Sequence, residues 1–102
     1  MAKVYALYRQ PADAAAFDRY YADRHVPLAK TLPGLRSYEI TRGPIVAIGG
    51  AAPYYLIATL SFDSRAAIDA AFASPQGQAT AADLSNFATG GVDVLITDTE
   101  MI

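Results

Sequence analysis

The sequence contains no cysteine and only one histidine, His25. Without cysteine the chain forms neither a disulfide framework nor a thiolate metal site, so zinc-cysteine and iron-sulfur proteins are excluded. Basic residues are also few, because 8 Lys and Arg stand against 10 Asp and Glu, which gives a net charge of -2. A nucleic-acid-binding surface normally carries a concentrated basic patch, and we therefore expect no nucleic acid partner.

Long hydrophobic runs are absent as well. No apolar stretch approaches the ~20 residues that a membrane-spanning helix needs, and the first residues are strand-like rather than typical of a signal peptide. We therefore expect no membrane segment and a cytoplasmic location. The composition is 53% hydrophobic and 18% charged over 102 residues, which predicts one folded domain rather than a disordered chain.

The order of predicted elements is βαββαβ. Strand-like segments cover residues 3–9, 35–48, 54–62 and 92–97. The second of them either runs through Gly43-Pro44 or is interrupted there. Asp13 caps the first helical region, whereas Ser64 and Ser74 cap the two pieces of the second, which end near Ala73 and Phe87. Pro27 lies inside the first helical region and predicts a kink or a restart of the helix there.

This order predicts an α+β, ferredoxin-like protomer, in which a four-stranded antiparallel sheet carries its helices on one face. The strands are apolar on both faces, although a sheet open to water on one side alternates apolar with polar residues. A second sheet must therefore cover the other face, and a second copy of the chain is the simplest cover. We predict a homodimer in which two sheets pack face to face.

His25 is the side chain that titrates nearest to neutral pH. It lies just before Pro27, whose ring leaves helix carbonyls unpaired, and such carbonyls favour a protonated imidazole that acts as a general acid or binds an anion. The alternative is structural, with His25 packed in place and hydrogen-bonded to one of those carbonyls. No set of further metal ligands accompanies it, so we expect no metal.

Tyrosine is abundant, with seven residues. A tyrosine joins an apolar ring to a polar tip, which suits a cavity for a flat, partly polar organic ligand. Tyr38 shares a predicted strand face with Arg36 and Arg42, which either hold a carboxylate or enolate oxygen of the ligand or lie in solvent. We predict that His25 faces a cavity lined by Tyr5, Phe17, Tyr21 and Tyr38.

Asp83 and Asn86 lie three residues apart on an alanine-rich helix, and Phe87 follows one turn after Asp83. Asp83 either points into the cleft and orients His25 or lies on the helix surface, which the pattern favours. Asp83 and Phe87 are the remaining candidate ligand-binding residues. The sequence has no glycine-rich phosphate loop and no serine nucleophile motif.

Short motifs distributed over nearly the whole chain resemble a known family. They are Phe17-x-x-Tyr20, His25-Val26-Pro27-Leu28, Leu32-Pro33-Gly34-Leu35, Tyr38-Glu39, Ser74-Pro75-Gln76-Gly77-Gln78 and Asp83-Leu84-x-Asn86-Phe87. Together they resemble EthD proteins, named for ethyl tert-butyl ether degradation, in the dimeric α+β barrel superfamily. The resemblance implies one EthD-like domain over residues 1–102, with protomers that pair through their sheets. His25 matches the motif histidine of the family, and Tyr38 follows its Pro-Gly-Leu motif.

The resemblance implies small-molecule chemistry rather than one reaction. Some EthD-like proteins are associated with cytochrome P450 ether degradation and others with fungal polyketide processing, and many have no known function. Related barrels include muconolactone isomerases and cofactor-free monooxygenases, in which a histidine or tyrosine handles protons. We therefore predict a cofactor-free isomerase, decarboxylase or monooxygenase acting on a small aromatic, lactone or polyketide-like substrate. His25 would transfer the proton and Tyr38 would donate a hydrogen bond.

Two other functions remain open. The first is a non-catalytic accessory module that binds a small molecule or an oxygenase partner in a degradation pathway such as a cytochrome P450 system. The second is a haem or dye carrier, because some relatives in the wider superfamily bind haem through a histidine. A ligand that binds and is never altered would indicate the accessory module.

Overall fold

The computed structural model describes residues 1–102 as a single sheet covered by helices on one face. The strands are β1 Ala2–Arg9, β2 Ser37–Ile40, β3 Tyr54–Phe62 and β4 Val92–Asp98. The helices are α1 Ala14–Tyr20, α2 Val26–Ala29, α3 Arg65–Ala73 and α4 Pro75–Phe87, and a π-helical segment, Tyr21–His25, joins α1 to α2. All strand pairs are antiparallel and the order is β2-β3-β1-β4. The predicted α+β, ferredoxin-like arrangement is confirmed.

None of these helices combines the length and the apolar content that a membrane crossing requires.

Side-chain caps start the helices where the sequence predicts them. The carboxylate of Asp13 accepts a hydrogen bond from the Ala16 amide, and the hydroxyls of Ser64 and Ser74 accept from amides three residues on. Each cap satisfies an amide that has no partner inside its helix. The α3 and α4 helices therefore meet at a fixed corner at Ser74, which sets the direction in which α4 crosses the sheet.

The first helical region restarts near Pro27 without leaving the helical path. The Val26 amide donates to the carbonyl of Tyr21, five residues back, which is the π-helical pattern. Pro27 lies in the first turn of α2, the part of a helix that tolerates proline best. In a regular α-helix, which has 3.6 residues per turn, side chains four positions apart rotate gradually away from a common face. The wider π turn reverses this rotation and returns them to that face. Buried side chains consequently recur at every fourth position, at Phe17, Tyr21, His25 and Ala29.

The β2 strand is shorter than the sequence predicts. It ends at Ile40 rather than continuing toward Ile48. Gly43 adopts a left-handed backbone conformation with φ 72°, and Pro44 has no amide hydrogen to donate to a sheet. The chain therefore leaves the sheet after β2 and returns to it only at Tyr54.

The hydrophobic core lies between the helices and one face of the sheet. Alternate residues of β1 and β3 are buried there against aromatic side chains of the helices, and Tyr8, Phe62 and Ile68 are the largest fully buried ones. The other face of the sheet has no helix over it. We call it the uncovered sheet face and define it by four apolar residues that are partly or largely exposed, Tyr5, Leu7, Ile57 and Leu95.

Candidate functional site

A buried histidine-aspartate pair lies between the first helical region and α4. His25, the last residue of the π-helical segment, is 4% exposed, and its Nδ1 lies 2.9 Å from Oδ2 of Asp83. The other carboxylate oxygen of Asp83 accepts hydrogen bonds from the Tyr20 hydroxyl at 2.6 Å and the Asn86 amide at 2.9 Å. The prediction that Asp83 lies on the helix surface is wrong, because these three donors replace water around a carboxylate that is 9% exposed.

The charge states of this pair follow from burial and hydrogen bonding. Burial lowers the pKa of His25 below its ordinary 6.5, and this effect outweighs the opposing hydrogen bond and charge of Asp83. Burial alone would raise the pKa of Asp83, but hydrogen bonds from Tyr20, Asn86 and His25 together lower it. At neutral pH the pair therefore consists of a carboxylate and a neutral imidazole that donates from Nδ1.

This arrangement corrects two expectations about His25. The favoured form at neutral pH is the neutral imidazole rather than the protonated one, because burial has the largest effect on its pKa. Its hydrogen-bond partner is the carboxylate of Asp83 rather than a helix carbonyl. Asp83 thus fixes the neutral imidazole of His25 in one tautomer. Carboxylates fix catalytic histidines in the same way.

The second ring nitrogen of His25 is available to a ligand. Nε2 of His25 makes no hydrogen bond within the protein, and it is not among the atoms fully shielded from solvent, since all of those have partners. His25 lines a cavity. We call this the inner cavity. It has a volume of about 240 Å³, and its wall is mostly aliphatic, with Tyr8, Tyr21, Tyr38 and Thr80 as its other polar side chains.

Tyr21 and Tyr38 form the second polar feature of the inner cavity. Their hydroxyl oxygens lie 2.6 Å apart and connect the π-helical segment to β2. Burial raises the pKa of both phenols above the ordinary value of 10.0. Both side chains therefore stay protonated at neutral pH and can donate hydrogen bonds, although only one of the two donates to the other.

A second and larger cavity adjoins the first at this tyrosine pair. This outer cavity has a volume of about 980 Å³ and is lined by Tyr21 and Tyr38 as well as by Lys30, Arg42 and Asp18. Its remaining walls come from β3, from the segment after β2 and from residues of the first helical region, of β2 and of the connection after β1. The two tyrosines thus lie on the boundary between an apolar chamber and a larger, partly charged one.

The two arginines that the sequence placed beside Tyr38 have different positions. Arg42 lines the outer cavity. Arg36 precedes β2 and forms a two-pronged ion pair with Asp63, at 3.0 and 2.7 Å, on the exposed surface. The suggestion that Arg36 holds a ligand oxygen is therefore wrong, since its guanidinium is already paired.

Four of the predicted ligand-binding residues line neither cavity: Tyr5, Phe17, Asp83 and Phe87. Phe17 and Phe87 pack behind His25 in an aromatic cluster, with ring centroids 5.3 Å apart, and Phe87 lies 4.7 Å from the imidazole ring. They support the position of His25. Tyr5 lies on the uncovered sheet face, opposite His25, because its strand alternates between the two faces.

Some residues of the site were missed by the sequence analysis. Tyr20 is the most important of them, because its hydroxyl bonds to Asp83, which lies 63 positions away along the chain. No local pattern reveals such a partner. Lys30, which follows the end of α2 and lines the outer cavity, was also missed.

Comparison with known proteins identifies close relatives. The model of the EthD domain family matches residues 9–91. An uncharacterised 11.0 kDa protein in the thcB-thcC intergenic region of Rhodococcus erythropolis is 44% identical over 103 residues, which cover 100% of this chain and 98% of that protein. The crystal structure of an ethyl tert-butyl ether degradation (EthD) family protein from Bacillus halodurans has a TM-score of 0.87 and 34% identity, covering 98% of this chain and 99% of the other.

More distant solved structures share the fold. A dimeric ferredoxin-like protein of unknown function from Thermobifida fusca has a TM-score of 0.70 at 15% identity, covering 96% of this chain and 90% of the other. SnoaB, a cofactor-independent oxygenase from Streptomyces nogalater, has a TM-score of 0.66 at 16% identity, covering 99% and 93%. At these identities the likeness concerns the fold alone.

Proposed function

This chain belongs to the EthD family, and from that premise we propose that it is a cofactor-free enzyme in which His25 moves a proton on a small, mainly apolar organic substrate. The observation that carries the proposal is the buried His25–Asp83 pair at 2.9 Å beside the apolar cavity that His25 lines, with Nε2 of His25 free of any hydrogen bond within the protein. A general base needs a neutral imidazole and access to the proton that it removes. Both conditions are met at neutral pH.

The proton transfer uses the two ring nitrogens in different ways. Asp83 accepts the Nδ1 hydrogen and thereby leaves the lone pair on Nε2. Nε2 then takes a proton from a carbon next to a carbonyl group of the substrate. The electron pair of that C–H bond forms a C=C bond, and the π pair of the C=O bond moves onto the oxygen to give an enolate. The imidazolium that forms is stabilised by the adjacent carboxylate. Return of the same proton to a different carbon atom gives an isomer and regenerates neutral His25.

Tyr38 stabilises the oxygen that becomes negatively charged. The hydroxyl of Tyr38 or Tyr21 that is not used within the pair can donate to this oxygen. A donor that stays protonated is required for this role, and burial keeps the pKa of both phenols raised. Tyr38 is accordingly assigned as the hydrogen-bond donor, with Tyr21 holding it in position.

The substrate class follows from the size and polarity of the inner cavity. A cavity of about 150 Å³ accommodates benzene, so the inner cavity of about 240 Å³ accommodates one substituted ring. Small aromatic, lactone and polyketide-like rings meet this requirement. A likeness in fold to a cofactor-independent oxygenase supports the view that such a scaffold performs this chemistry without a metal, in which case dioxygen would react with the carbanion that His25 generates.

We also propose that the protein is a homodimer joined through the uncovered sheet face. Leu95 is 51% exposed there beside the partly exposed Tyr5 and Leu7, and a contiguous apolar surface of this kind is typical of an interface. A likeness in fold to a dimeric ferredoxin-like protein supports the same assembly. Pairing two such faces removes both from water and closes a barrel around them.

Hydrogen exchange from heavy water tests the proton transfer directly. Small cyclic ketones and lactones are incubated with the protein in D2O, and deuterium at the carbon next to the carbonyl is measured by mass spectrometry. We expect His25→Ala to slow this exchange by about 100-fold or more, and the surface variant Arg65→Gln to leave it unchanged. The rate should rise with pH through a pKa below 6.5 and then level off, because the base is the neutral imidazole.

Two results would count against the proposal. If His25→Ala exchanges or converts a substrate as fast as the parent protein, His25 is not the base. If compounds bind with measurable affinity but are never exchanged or altered, and His25→Ala only weakens their binding, the protein is a ligand-binding accessory module instead.

A further inference from the structure

We infer that the ligand is an amphipathic carboxylate whose ring occupies the inner cavity and whose carboxylate lies in the outer cavity against Lys30 and Arg42. The inference rests on the proposed function in taking the chamber beside His25 as the place where the ring binds. It adds a substrate class, a small ring compound with a carboxylate on a short chain, and it assigns Lys30 and Arg42 as the residues that recognise it.

The charges around the outer cavity favour an anion. Three arginines elsewhere on the surface are paired with carboxylates, in Arg9–Asp93, Arg36–Asp63 and Arg65–Asp69. Lys30 and Arg42 form no ion pair, and both line the outer cavity. Lys3, Arg19 and Arg24 form no ion pair either, but they line neither cavity, so Lys30 and Arg42 are the unpaired cations that lie at one.

One acidic residue, Asp18, also lines the outer cavity and offsets part of its positive charge. The carboxylate of Asp18 accepts a hydrogen bond from the hydroxyl of Tyr55 at 2.8 Å and is part of the wall. The lining therefore has two positive charges against one negative charge. Because Asp18 has no ion pair with Lys30 or Arg42, the two cations remain free to bind an anion that enters the cavity.

The inner cavity excludes the same anion. Its wall is almost entirely aliphatic or aromatic, and His25, the one side chain there that can become charged near neutral pH, is held neutral beside the carboxylate of Asp83. Moving a carboxylate into such a chamber costs several kcal/mol when no cation meets it. A ligand with one apolar end and one anionic end can therefore enter in only one direction, with the ring toward His25.

The boundary between the cavities also suits such a ligand. Tyr21 and Tyr38 line both chambers and present hydroxyl groups where the two meet. A carbonyl or hydroxyl group between the ring and the carboxylate would lie beside these hydroxyls. The contacts of the carboxylate with Lys30 and Arg42 then fix how far the ring extends into the inner cavity. This distance determines which carbon atom of the ligand faces Nε2 of His25.

A matched series of acids and alcohols tests this inference. The probes are phenylalkanoates with two to six methylene groups and the phenylalkanols of the same lengths, and their dissociation constants are measured by isothermal titration calorimetry at low salt. We expect the best acid to bind about 3- to 10-fold more tightly than its alcohol. Arg42→Gln and Lys30→Gln should reduce this ratio toward one without weakening the alcohol, whereas the control Arg65→Gln should retain it.

The outcomes separate this inference from the proposed function. Equal affinity of acids and alcohols at every length, or a preference for acids that survives both substitutions, would overturn the inference. His25→Ala should abolish the exchange of ketone protons but keep the preference for acids, because His25 does not contact the carboxylate. If the parent protein exchanges ketone protons but shows no preference for acids, only the inference is overturned. If the parent protein prefers acids but does not exchange ketone protons, only the catalytic proposal is overturned.

Discussion

The hydroxyl oxygens of Tyr21 and Tyr38 lie 2.6 Å apart, and this contact joins the π-helical segment to the short strand β2. Both rings line both cavities, so the contact lies on the wall that the two cavities share. Each phenol has one hydrogen to donate, and the pair uses only one. The Tyr21 hydroxyl also has Tyr8 as a hydrogen-bond partner, so the hydrogen left for a ligand oxygen is that of Tyr38 when Tyr21 donates to it.

Replacing Tyr38 with phenylalanine removes the donor and keeps the ring. We expect Tyr38→Phe to slow deuterium exchange into a bound ketone by about 10- to 100-fold and to lower the free energy of unfolding by about 1 kcal/mol, because one buried hydrogen bond is lost. Ser85→Ala is the control, since its exposed hydroxyl donates to a helix carbonyl and lines neither cavity. Full activity of Tyr38→Phe would remove this residue from the mechanism.

Replacing Asp83 with asparagine should exchange the roles of the two nitrogens of His25. The amide of asparagine can donate to Nδ1, which places the ring hydrogen on Nε2 and removes the base from the cavity. We expect exchange activity to fall by about 100-fold or more, with a loss of about 1–3 kcal/mol in the free energy of unfolding. Nitrogen NMR reads the tautomer without ambiguity because the chain has one histidine. An unchanged tautomer would contradict this account.

The lowered pKa of His25 makes folding stability depend on pH. The unfolded chain binds a proton near the ordinary pKa of 6.5, whereas burial lowers the pKa in the folded state. The unfolded state therefore binds more protons as the pH falls below 6.5, and the free energy of unfolding decreases until the folded pKa is passed. The contribution of Asp83, whose pKa is lowered from 3.8, is lost only at more acidic pH.

Urea unfolding at several pH values between 8 and 5 measures this dependence. The variant His25→Gln, which cannot titrate, should have a smaller slope of stability against pH across the region just below 6.5. A parent protein that becomes more stable as the pH falls from 7 to 5 would contradict the sign of the predicted shift.

Gly77 allows α4 to pack closely against α3. A Cβ atom at this position would lie 2.1 Å from the carbonyl oxygen of Ala71, which is backbone and cannot move aside easily. We expect Gly77→Ala to lower the free energy of unfolding by about 1–3 kcal/mol through overpacking. Gly50→Ala, where a Cβ atom meets nothing within 4 Å, is the matched control. Chemical denaturation of both variants checks the prediction, and equal stabilities would contradict it.

A charge on the uncovered sheet face should separate the proposed dimer. Leu95→Asp places a carboxylate at the centre of an apolar interface, where its burial is unfavourable without a cationic partner. We expect light scattering to give the mass of a dimer for the parent protein at micromolar concentration and that of a monomer for the variant. Ile48→Asp, on an exposed loop away from the sheet, should remain dimeric. A monomeric parent protein would overturn the assembly.

Local side-chain chemistry explains why much of the fold can be predicted from the sequence. Ser64 and Ser74 start their helices through hydrogen bonds to amides only three residues away, and the limits of β3 follow from its own apolar alternation. The premature end of β2 depends on the backbone conformation of Gly43. A glycine signals that a turn is possible there, but it does not require one.

The site was predictable only in part because its key contacts join distant residues. His25 and Tyr38 are identified by their chemistry, whereas the burial of Asp83 depends on Tyr20, a donor far away in the sequence. Tyr5 was misplaced for a different reason. Alternation reveals that neighbouring residues of β1 face opposite ways, but both faces are apolar, and the pattern does not tell which one the helices cover.

The π-helical segment has a consequence for comparing this chain with its relatives. A π turn contains one residue more than the α turn that it replaces. When that residue is absent, an ordinary α turn takes its place, and the helical residues on either side keep the same faces toward the sheet. A relative that lacks one position between Tyr21 and His25 can still direct both rings toward the sheet. The related proteins would then share the orientation of the two side chains but not the number of residues between them. A sequence alignment without a gap in this segment would pair the wrong residue with the histidine.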